Sequence, residues 1–227
     1  MYNIFFISYG ESNQELNWTR LLEIHPDAIR LHGITGIDKV HLLCDQISST
    51  DYFWTVDGDN WLIEPLVWEG ELSDLIMFYA IDPITLEWTQ LGGTKLWKKG
   101  SIINPSMDKG DFCLNATEKK SNQGKVYTYT NFNNSPYEAW KTSFRHCVKL
   151  LSVLITNRPN AANIDSYLSR WKSCKDLDNG KNNAKWAYLG YCDATEYVDE
   201  FDNNYQELLK INNYDWLTRF FKNKYGI

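Results

Sequence analysis

Over its first 56 residues the chain alternates strand-length apolar runs with helix-spaced ones, and few folds accept that order. Asn3 to Ser8 is a short apolar run ended by the Tyr9-Gly10-Glu11-Ser12 turn. A helix then extends through about Ile24, with Trp18, Leu21 and Leu22 on its apolar side. Ala28 to Leu31 predicts a second strand. Apolar positions 37, 40, 43, 44 and 47 predict a second helix over Ile37 to Ile47, and Tyr52 to Val56 a third strand. Strand, helix, strand, helix, strand is the order of a nucleotide-binding α/β half whose crossovers are right-handed.

The third strand runs into Asp57-Gly58-Asp59. Carboxylates two residues apart in extended chain project to the same side. The glycine between them lets a diphosphate or a metal approach the backbone. Mg²⁺ and Mn²⁺ take oxygen ligands, usually one or two carboxylates with substrate phosphates completing the shell. The triplet therefore suits a metal-bridged nucleotide diphosphate, and the carboxyl end of a strand is where open α/β sheets bind ligands. A polar turn after a strand is the plainer reading of the same triplet.

A chain of 227 residues suffices for one good core, and one domain over 1–227 is expected. Its first half, 1–94, would hold nucleotide and metal; 95–227 would supply the other half and the C-terminal helices. No apolar run approaches the ~20 residues that span a bilayer, and Asn3 to Ile7 lacks the basic lead of a signal peptide. No membrane partner is expected. Five cysteines (44, 113, 147, 174 and 192), never in a CxxC pair, read as reduced thiols, which predicts a cytoplasmic protein.

The formal net charge of −6 is unevenly spread: residues 1–94 carry 3 Lys/Arg against 15 Asp/Glu, and residues 95–185 carry 16 against 7. Trp97, Tyr127, Tyr129, Phe132, Tyr137, Trp140 and Trp171 are interleaved with that basic block. Basic residues among aromatics suit a phosphate backbone with exposed bases, so DNA is an expected partner of 95–185. The alternative is a solvated basic face whose aromatics are core.

Beyond Asp59 the pattern changes. Trp61 to Trp68, Asp74 to Ile81, Glu87 to Leu91 and Lys95 to Trp97 read as shorter strands or turns of a mixed sheet, and Met107 to Gln123 as polar loop. From Pro136 an amphipathic stripe of Trp140, Phe144, Cys147, Val148, Leu151, Leu154 and Ile155 predicts a long helix. Ser135-Pro136-Tyr137-Glu138 reads as its capping box. Asn179 to Asn183 reads as a loop, with helices at Tyr205 to Ile211 and Tyr214 to Phe221.

The runs FFISYGESNQELNW and RLHGITGIDKVHLLCDQISSTDYFWTVDGDNW, the Gly92-Gly93 pair and SPYEAWKTSFRHCVKL together resemble a family of small glycosyltransferase-like proteins of tailed bacteriophages with the GT-A nucleotide-sugar fold. The resemblance covers most of residues 2–155. It implies an α/β GT-A-like fold with a mixed central sheet flanked by helices, a UDP-sugar donor and Mn²⁺ or Mg²⁺. In T-even-like phages, enzymes of this kind attach glucose or arabinose to hydroxymethylated cytosines of the phage DNA, so the resemblance implies a transferase acting on 5-hydroxymethylcytosine.

Carried over by position, Ser8, Tyr9, Gly10 and Glu11 would face the uracil, and Gly33 and Gly36 would open the second helix toward phosphate. Arg30, Asp38 and Lys39 would be donor contacts. Asp59 would ligate the metal, Asp57 would ligate it or hold the ribose, and His146 would be a later ligand. Glu138, at the start of a late helix, would be the general base, its alternative being the cap itself. Arg145 would hold donor phosphate or DNA, or be solvated. Gly92 and Gly93 would let a strand edge approach donor sugar or acceptor, or simply form a turn. A nucleotidyltransferase and a non-catalytic carbohydrate- or nucleic-acid-binding protein are the competing classes.

Overall fold

The computed structural model describes residues 2–89, 93–103, 112–152, 161–201 and 203–227. The chain divides into two compact units, 1–107 with 112–131, and 108–111 with 132–227.

In the first unit the chain runs β1 (Asn3–Ser8), α1 (Gln14–Ile24), β2 (Ile29–His32), α2 (Ile37–Ile47) and β3 (Tyr52–Asp57). There follow β4 (Asn60–Leu62), β5 (Leu75–Ile81), β6 (Trp88–Thr89), β7 (Thr94–Lys98), a short α3 (Phe112–Asn115) and β8 (Lys120–Thr130). One mixed sheet has the order β2-β1-β3-β7-β5-β8-β4, with β6 on β5. β1 pairs in parallel with β2 and β3, whereas β7 runs antiparallel to both β3 and β5.

The continuous apolar runs of β1 and β3 follow from burial on both faces. Ile4, Phe6, Trp54 and Val56 join Leu21 of α1 in one core, while Phe5, Ile7 and Phe53 join Val40 and Cys44 of α2 in another. The helices thus belong to different cores and cover opposite faces of the sheet.

Some expectations are corrected here. Of Trp61 to Trp68 only the first two residues lie in a strand. The stretch read as loop over Met107 to Gln123 holds α3 and the start of β8, which finds its hydrogen-bonding partners in β5 and β4 despite its polar sequence. Residues 107–111 of that stretch, Leu91, Gly92, Leu154 and Ile155 lie outside the described residues.

In the second unit are α4 (Pro136–Leu151), α5 (Ala161–Ser173), α6 (Ala184–Phe201), α7 (Tyr205–Leu208) and α8 (Tyr214–Tyr225). α4 starts on the expected capping box: Glu138 N donates to Ser135 Oγ at 3.2 Å. Gly190 of α6 lies against the α4 backbone, where a Cβ would stand 2.4 Å from Trp140 O. That glycine sets the close approach of the two helices. Trp140 stacks on Phe144 with ring centroids 4.7 Å apart, and Phe220 and Phe221 of α8 pack on the same ring. No helix among the described residues is long and apolar enough to cross a membrane.

Candidate functional site at the carboxyl ends of the parallel strands

The connection after β1 leads through α1 to β2 on one side, and the chain returns through α2 to β3 on the other. Strand order reverses between β1 and β3, and a reversal of this kind opens a crevice beyond the carboxyl ends of the strands. Two loops face it: residues 8–13 after β1 and the Asp57-Gly58-Asp59 turn after β3. They touch, since a Cβ on Gly58 would lie 2.7 Å from Glu11 Oε2 and 3.0 Å from Ser8 Cβ. Only glycine permits that approach.

The residues expected in the nucleotide half gather at this edge. Ser8 is the last residue of β1, and its Oγ accepts from Arg30 Nε at 3.1 Å. The same hydroxyl is hydrogen-bonded to His32 Nδ1, 3.0 Å away. Arg30 is held by Glu15 through two hydrogen bonds of 2.7 and 2.5 Å, so the guanidinium that was expected to contact donor is spent first on an internal pair. Tyr9 is exposed; its amide donates to Glu11 Oε2 at 2.7 Å, and Gly10 turns the chain with φ +89°. Gly33, at φ +74°, donates its amide to Ser8 O, and Gly36, at φ +106°, caps α2 with Asp38 in the first turn. Lys39 follows, exposed, on the same turn.

Lys95, grouped with the basic block by sequence, is instead buried (7% exposed) on β7, next to β3. Its Nζ lies 3.0 Å from Asp57 Oδ2. Burial opposes the ammonium's charge, but the Asp57 carboxylate, with Asp59 adding to it, outweighs burial and holds the Lys95 pKa above its ordinary value. His41 of α2 is fully buried, donating from Nδ1 to Ile37 O at 2.8 Å. Burial, aided by the Lys95 charge, pushes its pKa down to about 4, so it is neutral.

The turn is held by polar groups from three directions. Buried Asn17 of α1 donates from Nδ2 to Gly58 O at 2.8 Å, Asn131 N donates to Asp59 O at 2.7 Å, and Asn60 Nδ2 donates to Asp59 Oδ1 at 2.7 Å. Gly93 closes the arrangement, accepting from Asp57 N, and a Cβ there would fall 2.4 Å from Asn60 Nδ2 and 2.6 Å from Asp57 Cβ. The close approach expected of Gly93 is therefore to the acidic turn.

These residues match the cation the resemblance implies in one respect and depart from it in another. Asp57 Oδ1 is buried and has no hydrogen-bond partner among the described residues, so it has acceptor capacity for a cation. Asp59 follows two residues on. Yet no three His, Cys, Asp or Glu among the described residues are grouped to hold a metal. The set fits a cation whose shell is completed by phosphate oxygens, and does not fit one caged by protein alone.

The remaining expected residues lie in the second unit. Glu138 is placed as the cap of α4, and Ser135 Oγ donates to its Oε2 at 3.3 Å. Arg145 donates from Nε to Ile211 O at 2.8 Å and lies over the Tyr214 ring, contacts that tie α4 to the following segments. His146 Nδ1 accepts from Trp171 Nε1 at 2.9 Å, and its ring meets Tyr167 and Trp171 edge-on. Of the seven aromatics named in the basic block, Trp97, Tyr127, Phe132, Trp140 and Trp171 are core, and Tyr129 and Tyr137 keep accessible area.

Asn17, Asn60 and Lys95 escaped the sequence-based expectations. The available signal was a polar residue inside an apolar pattern: Asn17 beside Trp18 and Leu21, Lys95 before Leu96 and Trp97. No protein-family model matches the chain, and no curated protein matches it either.

Proposed function

We propose that the chain is a glycosyltransferase of GT-A type that moves a sugar from a nucleotide-diphospho-sugar, with uridine as the nucleoside, to a hydroxyl acceptor on 5-hydroxymethylcytosine in DNA. One observation carries this reading: a strand-order reversal with the Ser8–Glu11 loop and the Asp57-Gly58-Asp59 turn in contact across it. Supporting it are the open oxygen of Asp57 and the glycines at 10, 33, 36, 58 and 93. The DNA acceptor is supported by the excess of Lys and Arg over residues 95–185.

On this reading Asp57 and Asp59 would hold a Mn²⁺ or Mg²⁺ together with the diphosphate, and the chemistry such an ion would supply is neutralisation of the leaving group's charge. The chain's own groups orient. Lys95 holds the Asp57 carboxyl in place, and Asn17 and Asn60 hold the turn so that both carboxylates stay in place as bonds change. The loop from Ser8 to Glu11 offers the backbone against which a flat base lies.

Incubation with Mn²⁺, mixed UDP-sugars and hydroxymethylcytosine-containing DNA, followed by mass spectrometry of the nucleosides, should show a modified cytosine heavier by one glycosyl residue. Asp59→Ala should abolish that product while leaving the melting temperature nearly unchanged. Wild-type turnover in the variant, or thermal stabilisation by nucleoside triphosphates but by no nucleotide sugar, would sink the proposal.

A further inference from the structure

Asn60 is 1% exposed and stands directly after the acidic turn as the first residue of β4. Its amide orientation follows from its partners. Oδ1 faces Gly93 N at 3.3 Å, and a backbone N–H donates only, so the atom there is the oxygen. The hydroxyls of Thr128 (2.8 Å) and Thr130 (3.3 Å) donate to the same oxygen from β8. With Oδ1 held by three donors, Nδ2 is left pointing at Asp59 Oδ1, 2.7 Å away. A buried amide fixed at one end by three hydrogen bonds has no rotational freedom at the other.

The neighbouring carboxylate is treated the same way by a different group: Lys95 takes Oδ2 of Asp57, and Oδ1 has no partner. Each carboxylate of the turn thus has one oxygen bound to a rigid protein donor. Such a donor sets the plane of the carboxyl group before any ligand arrives, the job that partners behind a ligating side chain do in metal sites.

We infer that Asn60 is a positioning residue for Asp59: its locked amide presents the carboxylate to the cation and diphosphate in one orientation, and Thr128 and Thr130 serve as its anchor. The inference rests on the function proposed above.

Mn²⁺ binding in the presence of UDP, read by electron paramagnetic resonance, tests it without turnover. Asn60→Asp keeps the shape and the acceptor but loses the Nδ2 donor, and should weaken Mn²⁺ about 10-fold or more. Thr128→Val removes the shortest of the three anchors and should weaken Mn²⁺ in the same direction as Asn60→Asp but by a smaller factor, because two longer bonds still hold the amide. Mn²⁺ affinity equal to wild type in a folded Thr128→Val protein counts against the anchor. In the wild-type protein, adding Mg²⁺ with UDP should shift the Asn60 side-chain amide resonances, a readout that requires no variant. Unchanged Mn²⁺ affinity in a folded Asn60→Asp protein, or silent Asn60 resonances in a wild type that binds, overturns the inference alone. A wild type that binds neither Mn²⁺ nor UDP overturns the function and the inference together.

Discussion

Two carboxylates, one in each unit, are treated in opposite ways. In the helical unit the buried carboxylate is Asp193 (3% exposed), and both its oxygens are occupied: Oδ2 accepts from Trp140 Nε1 at 2.7 Å and Tyr225 Oη at 2.8 Å, and Oδ1 pairs with Lys224 at 2.8 Å. In the sheet unit Asp57 has one oxygen on Lys95 and one with no partner, and Asn13 Oδ1, Asn17 Oδ1 and His41 Nε2 are likewise buried without hydrogen bonds. A buried polar atom without a partner costs free energy, so a fold tolerates it where something other than stability is served. Asp193 is satisfied at both oxygens and ties helices together; Asp57, at the carboxyl edge of the sheet, keeps one oxygen without a hydrogen bond.

The largest test of that contrast removes the satisfied group. Asp193→Leu takes the acceptor from Trp140 Nε1 and Tyr225 Oη and leaves Lys224 only its bond to Glu196, and should cost about 4 kcal/mol in urea unfolding. A cost under about 1 kcal/mol would mean that Asp193 is not the keystone described. Next comes pH. The unfolded chain protonates His41 below about 6.5, the folded protein only near 4. Stability therefore falls as pH drops through that window, by up to about 3 kcal/mol. His25, whose pKa burial also lowers, acts in the same direction. His41→Phe should flatten most of the slope between pH 4 and 6.5; an unaltered slope would assign it elsewhere.

Asp57→Asn should cost less, about 2 kcal/mol, because the Asp57 side chain is 32% exposed and solvent screens the Lys95 charge it would abandon. If this variant proves more destabilising than Asp193→Leu, the acidic turn is chiefly structural and the contrast between the units is reversed. Smallest is Asn17→Leu: the bond to Gly58 O is lost, but so is an acceptor that had no partner, for a net loss of about 1 kcal/mol by thermal unfolding.

The first half of the fold was legible because its signals are local. Strand Asn3–Ser8 and helix Ile37–Ile47 fall where periodicity put them, and the strands at 29–32 and 52–57 within a residue of expectation. Apolar spacing records which face is buried, whatever lies against it. The Ser135–Glu138 cap was legible for the same reason. β8 was not: its first half alternates exposed and half-buried polar residues, and its strand character comes from partners some 45 and 70 residues earlier in the chain.

By itself the sequence determined the β-α-β-α-β order and the position of two acids at the end of the third strand, because both depend on residues within a few places of one another. Tertiary structure alone decided what those acids meet. Lys95 reaches Asp57 through the antiparallel register of β7 on β3, and Asn60 is locked by threonines almost 70 residues away. A side chain's charge and hydrogen-bonding capacity are written in its identity, but the partner that uses them is set by which strands become neighbours, and that is settled by packing over the whole unit.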